Sequence, residues 1–250
     1  MNWLQKPIKS YEKRTQFDLL DLELVMEPGD ILLVEGNQRV STAIKYLTQS
    51  TWSHAAFYLG KNNKFTDGMG EGSILIESDL KNGVTTIPLS NYESFNTRIC
   101  RPIGLPADEK EKVINFMIKS IGLDYDRKNI LDLMRYLLPR PPVPERFRRR
   151  MIALGSGTPS KVICSTLIAK AFQSVNYPIL PIIQKERTIL EEGLYRGIKH
   201  SRFIEKEYLH IRHHSLFVPR DFDLSPYFST IKPTIEKGFN YKNLPIKGFN

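Results

Sequence analysis

Trp52-Ser53-His54-Ala55-Ala56-Phe57-Tyr58-Leu59-Gly60 places a single imidazole at the threshold of an apolar run that a glycine closes. With Lys61-Asn62-Asn63 following as turn residues, the run predicts a strand over 54–59. His54 is its first residue, where a side chain can point across a sheet end rather than into its middle. Upstream, Ile31-Leu32-Leu33-Val34 reads as a second β-prone run, ended by Glu35-Gly36-Asn37. Between the two, Val40, Ala43, Ile44 and Leu47 recur at i, i+3, i+4 and i+7, the spacing of an amphipathic helix. Residues 1–26 carry mixed charge and scattered apolar positions, fit for a helix or an extended lead-in, before Pro28-Gly29.

Downstream, 74–77, 84–87 and 98–100 read as further strands separated by turns short enough for antiparallel hairpins. Asp108 followed by Glu111 has the spacing of a capping box, and Val113, Ile114, Met117, Ile118 and Ile121 predict a helix that Gly122 ends. Residues 129–138 also read as helical until the prolines at 139, 141, 142 and 144. Cys164, Leu167, Ile168, Ala171, Phe172 and Val175 form one stripe, so Cys164 opens a helix on its buried side. Beyond Asn176 the pattern weakens, with a basic helix-like piece over 187–195 and scattered prolines and aromatics. The expectation is one domain over 1–250: a core over about 28–175 and an extension, 176–250, laid over it and roofing part of a cleft.

With 250 residues, 41% hydrophobic and 25% charged, the composition is that of a globular protein and excludes a disulfide miniprotein or a disordered chain. A net charge of +9 favours an anionic partner. Arg140, Arg146, Arg148, Arg149 and Arg150, with Glu145 alone against them, are the densest positive charge; a solvated loop face and a peripheral contact with anionic membrane both fit. Aromatics are not interleaved with basic residues in any recognisable module, which ranks nucleic-acid binding last. No run of about eighteen apolar residues and no signal-peptide core are present, and two cysteines suit a reducing compartment. The expected location is cytoplasmic, at most peripheral to a membrane.

A cysteine at a helix N-terminus meets unpaired N–H groups and the positive end of the helix dipole, both of which favour thiolate. Alone it is more often a small core residue; a nucleophile also needs a base. Four of the five histidines, His200, His210, His213 and His214, lie in the C-terminal part, leaving His54 in the strand-rich region. Glu77, ending an apolar strand 23 residues after His54, stands at the interval of a neighbouring hairpin strand. Glu71 and Asp79 are its rivals, and a surface carboxylate is its plainer reading. The segment from His210 to His214 lacks acidic or thiol residues at supporting spacing and reads as basic surface, and Cys100 as structural.

Gly29-Asp30-Ile31-Leu32-Leu33, Ser53-His54-Ala55-Ala56 before a strand ending at Gly60, Ile76-Glu77, Gly83-Val84, Tyr125-Asp126 and Ile163-Cys164-Ser165 together resemble the circularly permuted branch of the NlpC-type papain-like superfamily, nearest its YiiX-like members. The order His, polar residue, Cys marks the permutation. The resemblance covers about 28–175, and the segment from Pro219 to Phe228 is similar to the tail of some YiiX-like proteins. It implies an α+β fold with an antiparallel, barrel-like sheet packed against the cysteine helix, Cys164 as nucleophile and His54 as base. The third position in that superfamily is variously His, Asn, Gln or an acid, and strand matching assigns it to Glu77. Tyr125 matches a tyrosine that lines the family's substrate cleft, although a tyrosine packed at the core edge fits equally.

The implied chemistry is amide hydrolysis through an acyl-enzyme, on small peptides such as cell-wall fragments, with no cofactor or metal. The alternatives are acyl transfer or hydrolysis on membrane lipids, as in relatives of lecithin:retinol acyltransferase, and a module that binds a lipid or peptide without turnover.

Overall fold

The structure is a computed structural model that describes residues 11–14, 18–69, 71–79, 82–123, 164–195, 198–238, 240 and 242. Its centre is a six-stranded antiparallel sheet ordered β4-β3-β2-β1-β5-β8: β1 is Ile31–Glu35, β2 His54–Lys61, β3 Ser73–Asp79, β4 Gly83–Pro88, β5 Asn96–Pro102 and β8 Phe228–Ile231. β4 and β8 are its edges. The fold is thus α+β with an antiparallel sheet packed on the cysteine helix. β1 pairs with β2 on one side and β5 on the other, and every residue of β1 is buried, which is why Ile31 to Val34 is apolar without alternation.

Both faces of the sheet are covered. On one, α3 (Ala107–Lys119) and α4 (Cys164–Gln173) lay Val113, Ile114, Met117, Leu167, Ile168 and Phe172 over Leu33, Ala55, Phe57 and Ile76. On the other, Leu22 of α1 (Leu19–Val25) and Met26 cover Leu32, Val34, Ala56, Tyr58 and Leu75. α2 (Arg39–Thr48) fills the β1–β2 connection. Phe172 is fully buried among Phe57, Tyr177 and Phe228, with ring centroids 5.2–6.4 Å apart. Burying such a side chain stabilises the fold by about 1.5–3 kcal/mol.

The segment after α4 supplies part of this core. Phe222 of α5 (Pro219–Leu224) and Phe228 of β8 join the α4 cluster, and β8 extends the sheet beyond β5. Trp52 Nε1 donates to Asp223 at 2.9 Å and Arg98 Nη1 to the same carboxylate at 2.6 Å, so α5 is tied to the strand ends beside His54.

Two expectations are corrected. Residues 187–195 are not helical: they belong to β6 (Ile182–Tyr195), which pairs with β7 (Ile198–His210) in a long two-stranded hairpin. Asp108 does not cap α3: the N-cap is Pro106, and Asp108 lies in the first turn, where its charge favours the helix N-terminus and pairs with Lys112 at 3.2 Å. The helix expected over 129–138, the arginines at 140–150 and Tyr125 lie outside the described residues. No helix among the described residues is long and apolar enough to cross a membrane.

Candidate active site

His54 begins β2 beside a tightly built turn. Ser53 is buried, donates its N–H to Val34 O at 3.1 Å, and accepts the Gly36 N–H on Oγ at 2.9 Å. A Cβ on Gly36 would lie 2.8 Å from that Oγ and 2.2 Å from Ser41 Oγ, so the close approach requires glycine. The residue before the imidazole is therefore held on both sides.

Tyr58 stands opposite Leu75 and Phe57 opposite Ile76. Strand alternation then places His54 and Glu77 in rows on one face, as diagonal neighbours across the β2–β3 pair. His54 Nε2 lies 2.7 Å from Glu77 Oε2. Of the rivals considered for that place, Glu71 is exposed and the side chain of Asp79 lies outside the described residues.

Cys164 is the first described residue of α4 and is 5% exposed. Its thiol is hydrogen-bonded with His54, and the backbone N–H groups of Ala55 and Ser165 donate to the sulfur. Since Glu77 occupies Nε2, the ring offers Nδ1 to Cys164. Ser165 Oγ donates to Phe217 O at 2.8 Å, which fixes this end of the helix to the segment ahead of α5. Cys164, His54 and Glu77, separated in sequence, thus meet at one end of the sheet. Tyr125, the fourth residue expected at the site, lies outside the described residues.

The electrostatics follow from these contacts. Burial pushes the His54 pKa down, but the Cys164 charge, its hydrogen bond and the Glu77 carboxylate together raise it well above the ordinary value. Burial pushes the Cys164 thiol up, and the His54 charge and hydrogen bond, helped by the two N–H donors, bring it below the ordinary thiol value. Both shifts favour thiolate facing imidazolium. Burial would likewise raise the Glu77 carboxyl, yet His54 and the Tyr92 hydroxyl hold it below the ordinary value. Cys100 has the opposite environment: burial in β5, with Asp223 adding to it, pushes its thiol far up. Both cysteines are free.

Tyr92 is a residue that the sequence reading passed over. It ends the 3₁₀ turn Leu89–Tyr92 after β4 and donates its hydroxyl to Glu77 Oε2, the oxygen that also meets His54. No spacing or motif marks it, since the bond joins a turn to the strand before last. Among the described residues no group of three His, Cys, Asp or Glu could hold a metal ion, and the side chains of His213 and His214 pack on each other at 3.9 Å between ring centroids.

Residues 25–136 match the family model described as permuted papain-like amidase enzyme, YaeF/YiiX, C92 family. Over that stretch, less than half of the chain, the sequence is similar to the permuted papain-like amidases of the YaeF/YiiX type. The matched stretch contains His54, Glu77 and Tyr92, and Cys164 follows it. The crystal structure of metalloprotein yiiX from Escherichia coli O157:H7 is similar at 15% identity, over 82% of this chain and 96% of that one, with a TM-score of 0.49. None of the curated proteins matches.

Proposed function

We propose that this YiiX-like protein is a cysteine amidase that cleaves a peptide or acyl-amide bond with Cys164, His54 and Glu77. The observation that carries the reading is the single run of contacts from Cys164 through the His54 ring to Glu77, with the pKa values of thiol and imidazole moved in opposite directions. A buried structural cysteine has no need of an imidazolium.

The Cys164 thiolate attacks the carbonyl carbon, and the carbonyl oxygen takes up the negative charge. The Cys164 backbone N–H at the N-terminus of α4 is the first donor to that oxygen. His54 passes its Nδ1 proton to the amide nitrogen as the C–N bond breaks, leaving a thioester on Cys164 and a free amine. The neutral imidazole then takes a proton from water, the hydroxide adds to the thioester, and the thiolate leaves with the acid as product. Glu77 keeps Nε2 protonated and the ring aimed at the sulfur in both steps. His54 retains 22% of its side-chain surface in contact with solvent, which leaves the substrate an approach to the proton donor.

The test is intact-mass analysis of the full chain mixed with N-acyl p-nitroanilides and short peptides bearing alanine and glutamate. Release of p-nitroaniline with an acyl adduct on Cys164 in the wild type, both lost in Cys164→Ala and in His54→Ala, supports the amidase reading. Turnover of lipid esters alone, or a lasting wild-type adduct with only one p-nitroaniline released per Cys164, replaces it with acyl transfer. Neither adduct nor release from any amide, with unchanged thermal stability on ligand addition, contradicts it.

A further inference from the structure

Outside the Cys164, His54 and Glu77 contact, an aromatic column leads from the N-terminal segment into the site. Tyr11 packs on Phe95 with ring centroids 6.0 Å apart, and Phe95 packs edge-on against Tyr92 at 5.8 Å. Tyr92 lies 6.1 Å from the His54 ring at a tilt and donates its hydroxyl to Glu77. The outer end of the column is fastened by polar contacts. Asn96 donates its backbone N–H to the Tyr11 hydroxyl at 2.6 Å and its Nδ2 to Glu12 O at 2.8 Å, and accepts the Arg14 N–H at 2.6 Å. Glu35 accepts from Arg14, Lys45 and Asn96.

We infer that Tyr92 is a positioning residue for the proposed reaction, acting through Glu77, and that the strap at residues 11–14 braces it through Phe95. The inference rests on the cysteine amidase reading and adds to it a second donor on the carboxylate. One oxygen, Glu77 Oε2, serves both His54 and Tyr92, so the hydroxyl fixes where the carboxylate points and adds a charge-assisted hydrogen bond that favours its ionised form. Buried as it is, Glu77 without that bond takes up a proton at higher pH. A neutral Glu77 supports the imidazolium less, so the thiolate needs higher pH to form. Cys164, Glu77 and Tyr92 are the titratable groups that meet His54 from α4, β3 and the 3₁₀ turn.

The experiment is the rate of Cys164 alkylation by iodoacetamide against pH, in the full chain, for wild type, Tyr92→Phe, Glu77→Gln and the double variant. Tyr92→Phe keeps the ring and its packing and removes only the hydroxyl. The expected result is an acid limb displaced upward by about half a unit to one unit, a three- to tenfold loss of rate on that limb. Adding Tyr92→Phe to Glu77→Gln is expected to displace it no further. A Tyr92→Phe limb that superimposes on the wild type, while Glu77→Gln shifts, overturns the inference and leaves the amidase reading standing. A wild-type Cys164 that reacts as an ordinary thiol defeats the amidase reading and the inference with it. Phe95→Leu, which keeps the hydroxyl and removes the brace, is expected to shift the limb the same way by less; an unchanged limb rules out the strap's part, and this variant also carries the test should Tyr92→Phe fail to fold.

Discussion

His54 Nε2 and Glu77 Oε2 stand 2.7 Å apart on neighbouring strands, leaving the other ring nitrogen for the Cys164 thiol. The pair fixes tautomer and direction in one contact. Everything proposed for the site depends on that orientation, and it gives the first prediction. Glu77→Gln is expected to lower kcat on an amide substrate by about 10²-fold with a small change in KM, because the amide replaces an anion that stabilises imidazolium. Steady-state kinetics on the p-nitroanilide that the wild type turns over best checks this; an unchanged kcat contradicts it.

The same contact sets a pH dependence of stability. His54 has its pKa raised in the folded state, so its contribution is fully present below its unfolded value of about 6.5 and is lost as pH rises through the raised value. Glu77 has its pKa lowered, so its contribution is present above its unfolded value of about 4.3 and is lost as pH falls through the lowered one. The difference in Tm between wild type and Glu77→Gln is therefore expected to be largest near about pH 5–6.5 and to shrink on either side. A difference that does not vary with pH in thermal melts would show that the two charges are not coupled.

Ser53 offers a prediction about the scaffold. Its Oγ accepts the Gly36 N–H in a buried turn, so Ser53→Ala leaves that donor without this acceptor and costs about 1–3 kcal/mol in urea unfolding. The same change is expected to lower kcat modestly by loosening His54, with KM unchanged. A stability equal to the wild type would mean that the turn is held elsewhere.

A fourth prediction concerns the C-terminal segment. Phe222 and Phe228 are buried in the α4 cluster and β8 pairs with β5, so a chain ending at Pro178 would expose the face that Cys164's helix packs on. Such a truncation is expected to lose its cooperative transition in circular dichroism melts. Phe228→Ala in the full chain is expected to cost about 3–5 kcal/mol. A truncated chain with a sharp transition near the wild-type Tm would assign the core to residues before 178.

Much of this architecture is legible in the sequence because its signals are local. The strands from β1 to β5 announce themselves as short apolar runs between turn residues, and α4 as a stripe headed by Cys164. The meeting of His54 with Glu77 follows from strand alternation once β2 and β3 pair. The hairpin β6–β7 was hidden because its register shifts between Ile189 and Glu191. That irregularity breaks the period of two inside the basic stretch 187–195 that reads as helix-like. Asp108 misled because the chain enters α3 through Pro106, one residue before the helix starts, and a spacing of three from an acidic residue does not locate the cap. Tyr92 left no trace at all, since its value lies in a hydroxyl carried by a turn to a carboxylate fifteen residues earlier.

The central claim is that Cys164 and His54 rest as thiolate and imidazolium, and NMR titration of the His54 ring in ¹⁵N-histidine-labelled protein tests it most directly. His54→Ala assigns the resonance, and Cys164→Ala removes the charge that raises it. The account predicts a wild-type midpoint well above the ordinary value of about 6.5 and a clear fall in Cys164→Ala, with Glu77 sustaining what remains. An ordinary midpoint that is the same in both proteins would contradict it.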